Sequence, residues 1–144
     1  MSQAQEQGRP RPRIESLADL IFGLSLSIGA LALIASPPSS PGDINSHILA
    51  FAFTFMLLIT SWIIYTADMS VLPVHTRLVT FLNVVLLMMV AIVPYLLNNV
   101  EFSNPALDNA SAVALKDYAS SLFGLDLAGI IIILGVFAHV LAME

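Results

Sequence analysis

The stretch Arg13-Ile-Glu-Ser-Leu-Ala-Asp19 runs directly into Leu20-Ile-Phe-Gly-Leu-Ser-Leu-Ser-Ile-Gly-Ala-Leu31. A positive charge and two carboxylates therefore stand at the start of an apolar run that is long enough for a membrane helix. Lipid penalises an Asp at the centre of a spanning helix by roughly 2.5–3.5 kcal/mol, and by less near the end of the helix. A carboxylate at this boundary needs a partner or a role.

The composition of the whole chain indicates the same environment. Of its 144 residues, 58% are hydrophobic and only 10% are charged, whereas a soluble domain carries about 25% charged residues. We therefore expect an integral membrane protein in contact with a lipid bilayer. The chain has no cysteine, which excludes disulfides and thiolate metal sites. Its net charge of −5 excludes a basic surface for nucleic acid.

Four apolar stretches are long enough to cross a hydrocarbon core. Lipid does not tolerate unpaired sheet edges, so these spans should be helices. The sequence predicts an all-α integral membrane protein with four transmembrane helices, at about residues 16–35, 47–66, 78–97 and 120–142. They form one domain of residues 14–144, which follows a polar, basic N-terminal tail of residues 1–13. Proline, glycine and polar residues predict loops at 36–43, 68–73 and 98–118.

The distribution of basic residues predicts the orientation. Three of the five Lys and Arg residues precede the first span, and Arg77 precedes the third span. Cytoplasmic sides collect Lys and Arg, so we expect both termini in the cytoplasm. An even number of spans agrees with this orientation. The small size and the lack of a targeting signal favour a prokaryotic plasma membrane.

The first helix should present two different faces, since successive residues are about 100° apart. One face is mostly small and polar and should pack against another helix; it carries Asp19, Gly23, Leu26, Ser27 and Ala30. Roughly opposite lies an aliphatic stripe of Leu24, Ile28 and Leu31. From the residues alone, contact with lipid tails is the favoured interpretation of this stripe. The alternative is a hydrophobic constriction, which needs several copies of the helix around one pore.

Asp19 requires a partner from outside its own helix. Arg13 is six residues away and points to a different side, whereas Glu15 shares the face of Asp19. The candidates in other spans are Thr60, Ser61, Trp62, Tyr65 and Asn83. We expect a buried cluster of Arg13, Asp19, Trp62 and Asn83, which either joins the helices or has a catalytic or ion-binding role.

Enzymatic signatures are missing from the sequence. His47, His75 and His139 have no metal-ligand spacing, and no nucleophile elbow, phosphate loop or dinucleotide fingerprint occurs. We therefore expect no enzymatic activity, no cofactor and no metal site. Asp126, near the outer end of the fourth span, is expected to be a solvated or capping residue.

The segment from Arg13 to Asp19 resembles the Arg-x-x-x-Phe-Ser-Asp motif in the first helix of the transmembrane-protein-175 potassium channels. The resemblance continues through Trp62 and Tyr65, which are similar to the Trp-x-x-His of that family's second helix, and through Asn83 and Pro94 in the third. The chain has Leu17 and Ala18 in place of the motif's Phe and Ser, and Tyr65 in place of its His. With four rather than six predicted spans, it resembles a short, divergent member of the prokaryotic branch.

The resemblance implies a homotetrameric, potassium-permeable cation channel whose pore is lined by the first helix of each subunit. It implies that Leu24, Ile28 and Leu31 form the pore constriction, with Ser27 as a polar position beside them. It assigns a structural hydrogen-bond network to Arg13, Asp19, Trp62, Tyr65 and Asn83. With this resemblance, the pore replaces lipid contact as the favoured interpretation of the aliphatic stripe.

Two other functional classes stay open at this point. One is a non-conducting membrane scaffold or accessory subunit with the same fold, in which the aliphatic stripe meets lipid or another protein. The other, weaker alternative is a proton-coupled transporter that uses Asp19, because acids inside membranes often relay protons.

Overall fold

The structure is a computed structural model that describes residues 13–35, 37–71, 77–101 and 108–142, without the side chains of Arg13 and Ile14. The described residues form four helices: α1 (Arg13–Ala35), α2 (Pro41–Val71), α3 (Arg77–Glu101) and α4 (Asn109–Ala142). All four are long and apolar enough to cross a membrane. The prediction of an all-helical protein with four candidate membrane spans is confirmed.

The helices are longer than the predicted spans, and parts of the predicted loops are wrong. Residues 41–43, 68–71, 98–101 and 109–118 are helical, and α4 begins at Asn109 rather than near Ser120. Hydropathy identifies only the apolar part of a helix, which can lie in lipid. The ends of the helix depend on the helix propensities of the flanking residues as well. The segment 110–116 is rich in alanine and also contains Leu115 and Lys116, and these are good helix formers outside lipid as well.

Polar side chains fix the beginnings of α2 and α4. The backbone N–H of Asp43 donates to Ser40 Oγ over 3.2 Å, and the backbone N–H of Ser39 donates to Asp43 Oδ2 over 3.0 Å. Pro41 takes the first helical position, where its missing N–H costs nothing. Asp108 precedes α4, and hydrogen bonds from Ser111 hold the pKa of its carboxyl below the usual range. These caps supply partners for N–H groups that a helix leaves open.

The four helices pack as a bundle in which α3 lies along both α1 and α4. Helix α2 also contacts α1 and α4, and it touches α3 less extensively. Among the described residues, α1 and α4 make no contact with each other, so they occupy opposite corners of the bundle. The largest fully buried side chains fill the space between the helices: Phe22, Leu58, Tyr65, Leu86, Ile130 and Phe137.

Candidate functional site

A hydrogen bond joins α1 to α2 near the start of α1. Trp62 Nε1 donates to Asp19 Oδ1 over 2.9 Å, although the two residues are 43 positions apart in the chain. The indole N–H is the only donor that a Trp side chain has, so this bond satisfies Trp62 completely. Asp19 thereby acquires the interhelical partner that its position at the membrane boundary requires.

A pocket of about 420 Å³ opens beside this hydrogen bond, between the beginning of α1 and the end of α2. Glu15 and Asp19 line one wall, one turn of helix apart. Helix α2 supplies hydroxyl groups and aromatic surface to the opposite wall, from Trp62, Tyr65, Thr66 and Ser70. We call this cavity the α1–α2 pocket. It combines two carboxylates with several oxygen atoms in a partly enclosed space.

Tyr65, which lines the α1–α2 pocket, lies beside Asn83 in the core of the bundle. Both side chains are only 1% exposed, and the ring of Tyr65 packs against that of Phe22 with centroids 5.9 Å apart. The Asn83 amide lies beside the Tyr65 hydroxyl, but neither that hydroxyl nor Asn83 Oδ1 has a hydrogen bond of acceptable geometry. Buried polar groups are normally paired, so this cluster holds unused hydrogen-bonding capacity.

Arg13 is the first residue of α1, and its side chain lies outside the described residues. Of the buried cluster expected from the sequence, the structure joins Asp19 to Trp62 directly. The expected burial is wrong for Asp19, which is exposed, and Trp62 is only half-buried. The structure also places Tyr65 next to Asn83, and both of these side chains are buried.

The aliphatic stripe of α1 lies on the surface of the single chain. Leu24 is 60% exposed, Ile28 is 43% exposed and Leu31 is 60% exposed. Ser27 is also exposed beside them, and its hydroxyl donates to the carbonyl of Gly23 over 2.9 Å. Because this acceptor lies in α1 itself, the Ser27 hydroxyl does not need a hydrogen-bond acceptor from α2, α3 or α4.

The face of α1 that packs against α2 and α3 differs from the predicted one. The buried positions recur at the spacing of one helical face and are Ala18, Phe22, Ser25 and Gly29. Gly23 and Ser27, which we expected in the packing face, are exposed. Small residues allow helices to approach closely, but a large aromatic side chain can also be buried when it packs against an aromatic ring of the neighbouring helix. Phe22 of α1 packs in this way against the ring of Tyr65 on α2.

Two buried carboxylates were not recognised from the sequence. Asp68, which we assigned to a loop, lies within α2 and is 9% exposed. Asp126, which we expected to be solvated or to cap a helix, lies midway along α4 and is 8% exposed. In each case one carboxylate oxygen, Oδ2, is buried without a hydrogen bond. Asp126 lies on the same face of α4 as the buried residues Ile130 and Phe137. This spacing could have indicated from the sequence that Asp126 is buried.

The described residues contain no group of three or more His, Cys, Asp or Glu side chains that could hold a metal ion. The α1–α2 pocket therefore offers carboxylates and hydroxyls rather than the side-chain set of a transition-metal site.

Comparison with protein-family models, with curated protein sequences and with solved structures finds no match to this chain.

Proposed function

We propose that this protein is a potassium-permeable cation channel that assembles as a homotetramer around α1. The observation that carries the proposal is the exposure of Leu24, Ile28 and Leu31, which lie on the surface while a different side of α1 packs against α2 and α3. The resemblance of the Arg13–Asp19 segment to the first-helix motif of potassium channels supports the same role for this face.

The packing inside one chain favours a pore between copies rather than within a copy. The interior of the four-helix bundle is filled by large side chains, with Phe22, Tyr65 and Phe137 each at most 2% exposed. An ion pathway through this core would require the core to be emptied. A pathway between copies needs only that each copy turn the exposed face of α1 toward a common axis.

A ring of aliphatic side chains can gate such a pathway. Hydrophobic constrictions control conduction by excluding water when they are narrow. In the proposed assembly, Leu24, Ile28 and Leu31 form successive rings about one turn apart. Ser27 places a hydroxyl oxygen next to these rings, where it contributes polar lining to the pathway.

Asp19 and Trp62 have a structural role in this proposal. Their hydrogen bond fixes the beginning of α1 against α2, and thus fixes the rotation of α1 about its axis. That rotation decides whether the aliphatic stripe faces the pore. In this proposal Arg13, Tyr65 and Asn83 belong to the same supporting network.

The proposed channel lies in a prokaryotic plasma membrane, with both of its termini in the cytoplasm.

The test is potassium flux into liposomes that contain the purified protein, with wild type compared with Ile28→Ala. Removing three carbons from each copy widens the constriction and reduces dewetting, so we expect the variant to conduct more potassium than wild type. Ile132→Ala is the matched control, because Ile132 is 64% exposed on α4, the helix that does not contact α1. We expect Ile132→Ala to behave like wild type.

Native mass spectrometry of the same preparations measures the number of copies, and a tetramer is expected. Absence of flux from wild type and from Ile28→Ala, in protein that is folded and oligomeric, would contradict the channel. It would leave the non-conducting scaffold as the function that fits the fold.

A further inference from the structure

We propose that a groove between α2 and α4 holds one acyl chain of a membrane phospholipid. The groove has a volume of about 570 Å³, and we call it the α2–α4 groove. Helix α2 lines it with residues between Phe53 and Ile64, and α4 lines it with residues between Ile131 and Ala138. None of the described residues of α1 contributes to this lining. The inference therefore does not depend on the proposed channel and would hold for a non-conducting protein as well.

The lining of the α2–α4 groove matches a hydrocarbon chain. None of the described residues in this lining is charged, and only Thr60 and Ser61 among them are polar. The side chains of Phe53, Met56 and Ile131 are more than half exposed, so the groove is open on the outer surface of the bundle. Since α2 and α4 are long and apolar enough to cross a membrane, a bilayer would place its acyl chains against this surface.

Small residues of α4 leave the space of the groove open. Gly135 and Ala138 lie one turn apart in its lining, and a Cβ added at Gly135 would meet no atom within 4 Å. Small residues often let two membrane helices approach closely, but here the described side chains of α2 do not reach Gly135. An empty space would deprive both walls of dispersion contacts, and an apolar space does not hold water. An acyl chain supplies these contacts and needs no hydrogen bond.

The length of the α2–α4 groove fits the acyl chain of one leaflet. Between Phe53 and Ile64 the helix rises by about 16 Å along its axis, and one leaflet contributes half of a hydrocarbon core that is about 30 Å thick. On the other wall, residues 131–138 belong to the second half of α4 (Asn109–Ala142). We therefore assign the acyl chain to a phospholipid of the leaflet in which α4 ends.

A helix of a second copy is too wide for the groove. A helix with its side chains is about 10–12 Å in diameter, so about 16 Å of its length occupies roughly 1,300 Å³ or more. This is more than twice the groove volume of about 570 Å³. A single acyl chain is much thinner than a helix, so it can lie between α2 and α4 along the whole groove.

Native mass spectrometry measures whether a phospholipid stays bound to the protein. We would extract the full chain from membranes in detergent, wash it repeatedly with detergent, and count the phospholipids that each chain retains. We expect wild type to retain one phospholipid per chain after the lipid that merely surrounds the bundle has been removed.

Two glycines of α4 provide a matched pair of variants. Gly135→Leu places a side chain in the α2–α4 groove, whereas Gly124→Leu makes the same change outside its lining. A Cβ at either position meets no atom within 4 Å, and both changes favour the helix. We expect Gly135→Leu to lose the retained phospholipid and Gly124→Leu to retain it like wild type. Circular dichroism verifies the helix content of both variants.

A second measurement tests whether the acyl chain, rather than the headgroup, is bound. Palmitoyl and octanoyl lysophosphatidylglycerol have the same headgroup and differ only in the length of the chain. A ligand that binds the folded protein raises its resistance to unfolding by sodium dodecyl sulfate, and the increase saturates. With delipidated wild type and Gly124→Leu, we expect the palmitoyl lipid to act at a lower concentration than the octanoyl lipid. Neither lipid should stabilise Gly135→Leu.

Three results would overturn the proposal. The first is a wild type that retains no phospholipid, or a Gly135→Leu variant that retains as much as wild type. The second is equal stabilisation of wild type by the two lysophospholipids, which would show that the headgroup is bound instead. The third is an unchanged lipid content together with fewer copies in the Gly135→Leu assembly, which would assign the groove to a second copy. Potassium flux enters none of these measurements, so they are independent of the test of the channel.

Discussion

Asp19 and Asp126 are both carboxylates in helices that are long and apolar enough to cross a membrane, but their surroundings differ. Asp19 lies near the start of α1, accepts a hydrogen bond from Trp62 over 2.9 Å and borders an open pocket. Asp126 lies midway along α4, is 8% exposed and has one oxygen without a partner. A carboxylate at the end of a helix can thus join two helices and stay accessible. One in the middle of a helix costs free energy unless it has a further role.

The largest expected effect is at Asp126. Replacement by Leu removes a buried polar group and keeps a side chain of similar length, so we expect the bundle to become more stable by about 1–3 kcal/mol. Reversible unfolding by sodium dodecyl sulfate in mixed micelles measures this difference. Asp126→Asn, which retains a polar group, should change stability less. A loss of stability in Asp126→Leu would mean that Asp126 has a compensating partner, and the contrast with Asp19 would fail.

A smaller effect of opposite sign is expected at Asp19. Asp19→Leu leaves the Trp62 N–H without its acceptor and should destabilise the protein, whereas Asp19→Asn keeps an acceptor oxygen and should be milder. A double-mutant cycle with Trp62→Phe isolates the bond. We expect a coupling free energy of about 0.6 kcal/mol, the average that double-mutant cycles give for interhelical hydrogen bonds in a membrane, and at most about 1.7 kcal/mol. A coupling of zero would show that the bond does not fasten α1 to α2.

Gly129 tests how tightly α3 packs beside Asp126. A Cβ added at Gly129 would overlap the methyl group of Met89 on α3, whereas a Cβ at Gly124 would meet no atom within 4 Å. Both changes to Ala favour the helix equally, but only the first must displace Met89. The Met89 methyl group ends a flexible side chain and can move, so we expect Gly129→Ala to be less stable than Gly124→Ala by at most about 1 kcal/mol in the same unfolding measurement. Equal stabilities would show that the Met89 side chain moves aside at no cost.

The smallest effect is expected at Asp108, a third aspartate, which lies outside the apolar spans. Hydrogen bonds from Ser111 lower the pKa of its carboxyl in the folded protein, so its charge stabilises α4 above the pKa of the unfolded chain. This contribution disappears as the pH falls through the lowered pKa. Asp108→Ala should therefore unfold slightly more easily than wild type at neutral pH, and the two should converge in strong acid. A difference that persists in acid would show that the carboxylate is not the stabilising group.

Much of the fold could be predicted because it depends on lipid. The apolar runs gave the number and order of the helices, and the cost of a boundary carboxylate indicated that Asp19 needs a partner. Trp62 was among the candidates, since few polar side chains occur in the spans. The helix ends were predicted poorly, because hydropathy does not report on helical segments that carry many polar residues, such as residues 109–118.

The packing partners could not be predicted in the same way. Sequence spacing placed Gly23 and Ser27 in the contact face of α1, but the face that packs is the one with Phe22 and Ser25. A helix surface in lipid can be apolar on every side, so its own residues do not identify the side that meets a neighbour. The rotation of α1 about its axis depends on which side chains of α2 and α3 it can pack against, including the ring of Tyr65.

The sequence by itself therefore determined the membrane environment, the four helices and the need of Asp19 for a partner. These properties depend on the free energy of transferring side chains from water to lipid. Each segment contributes its own transfer free energy, independently of the other segments. Only the tertiary structure decided that Trp62 is the partner, that Asp126 is buried and that Leu24, Ile28 and Leu31 stay exposed. These depend on which helix faces meet, and that is a property of all four helices packed together.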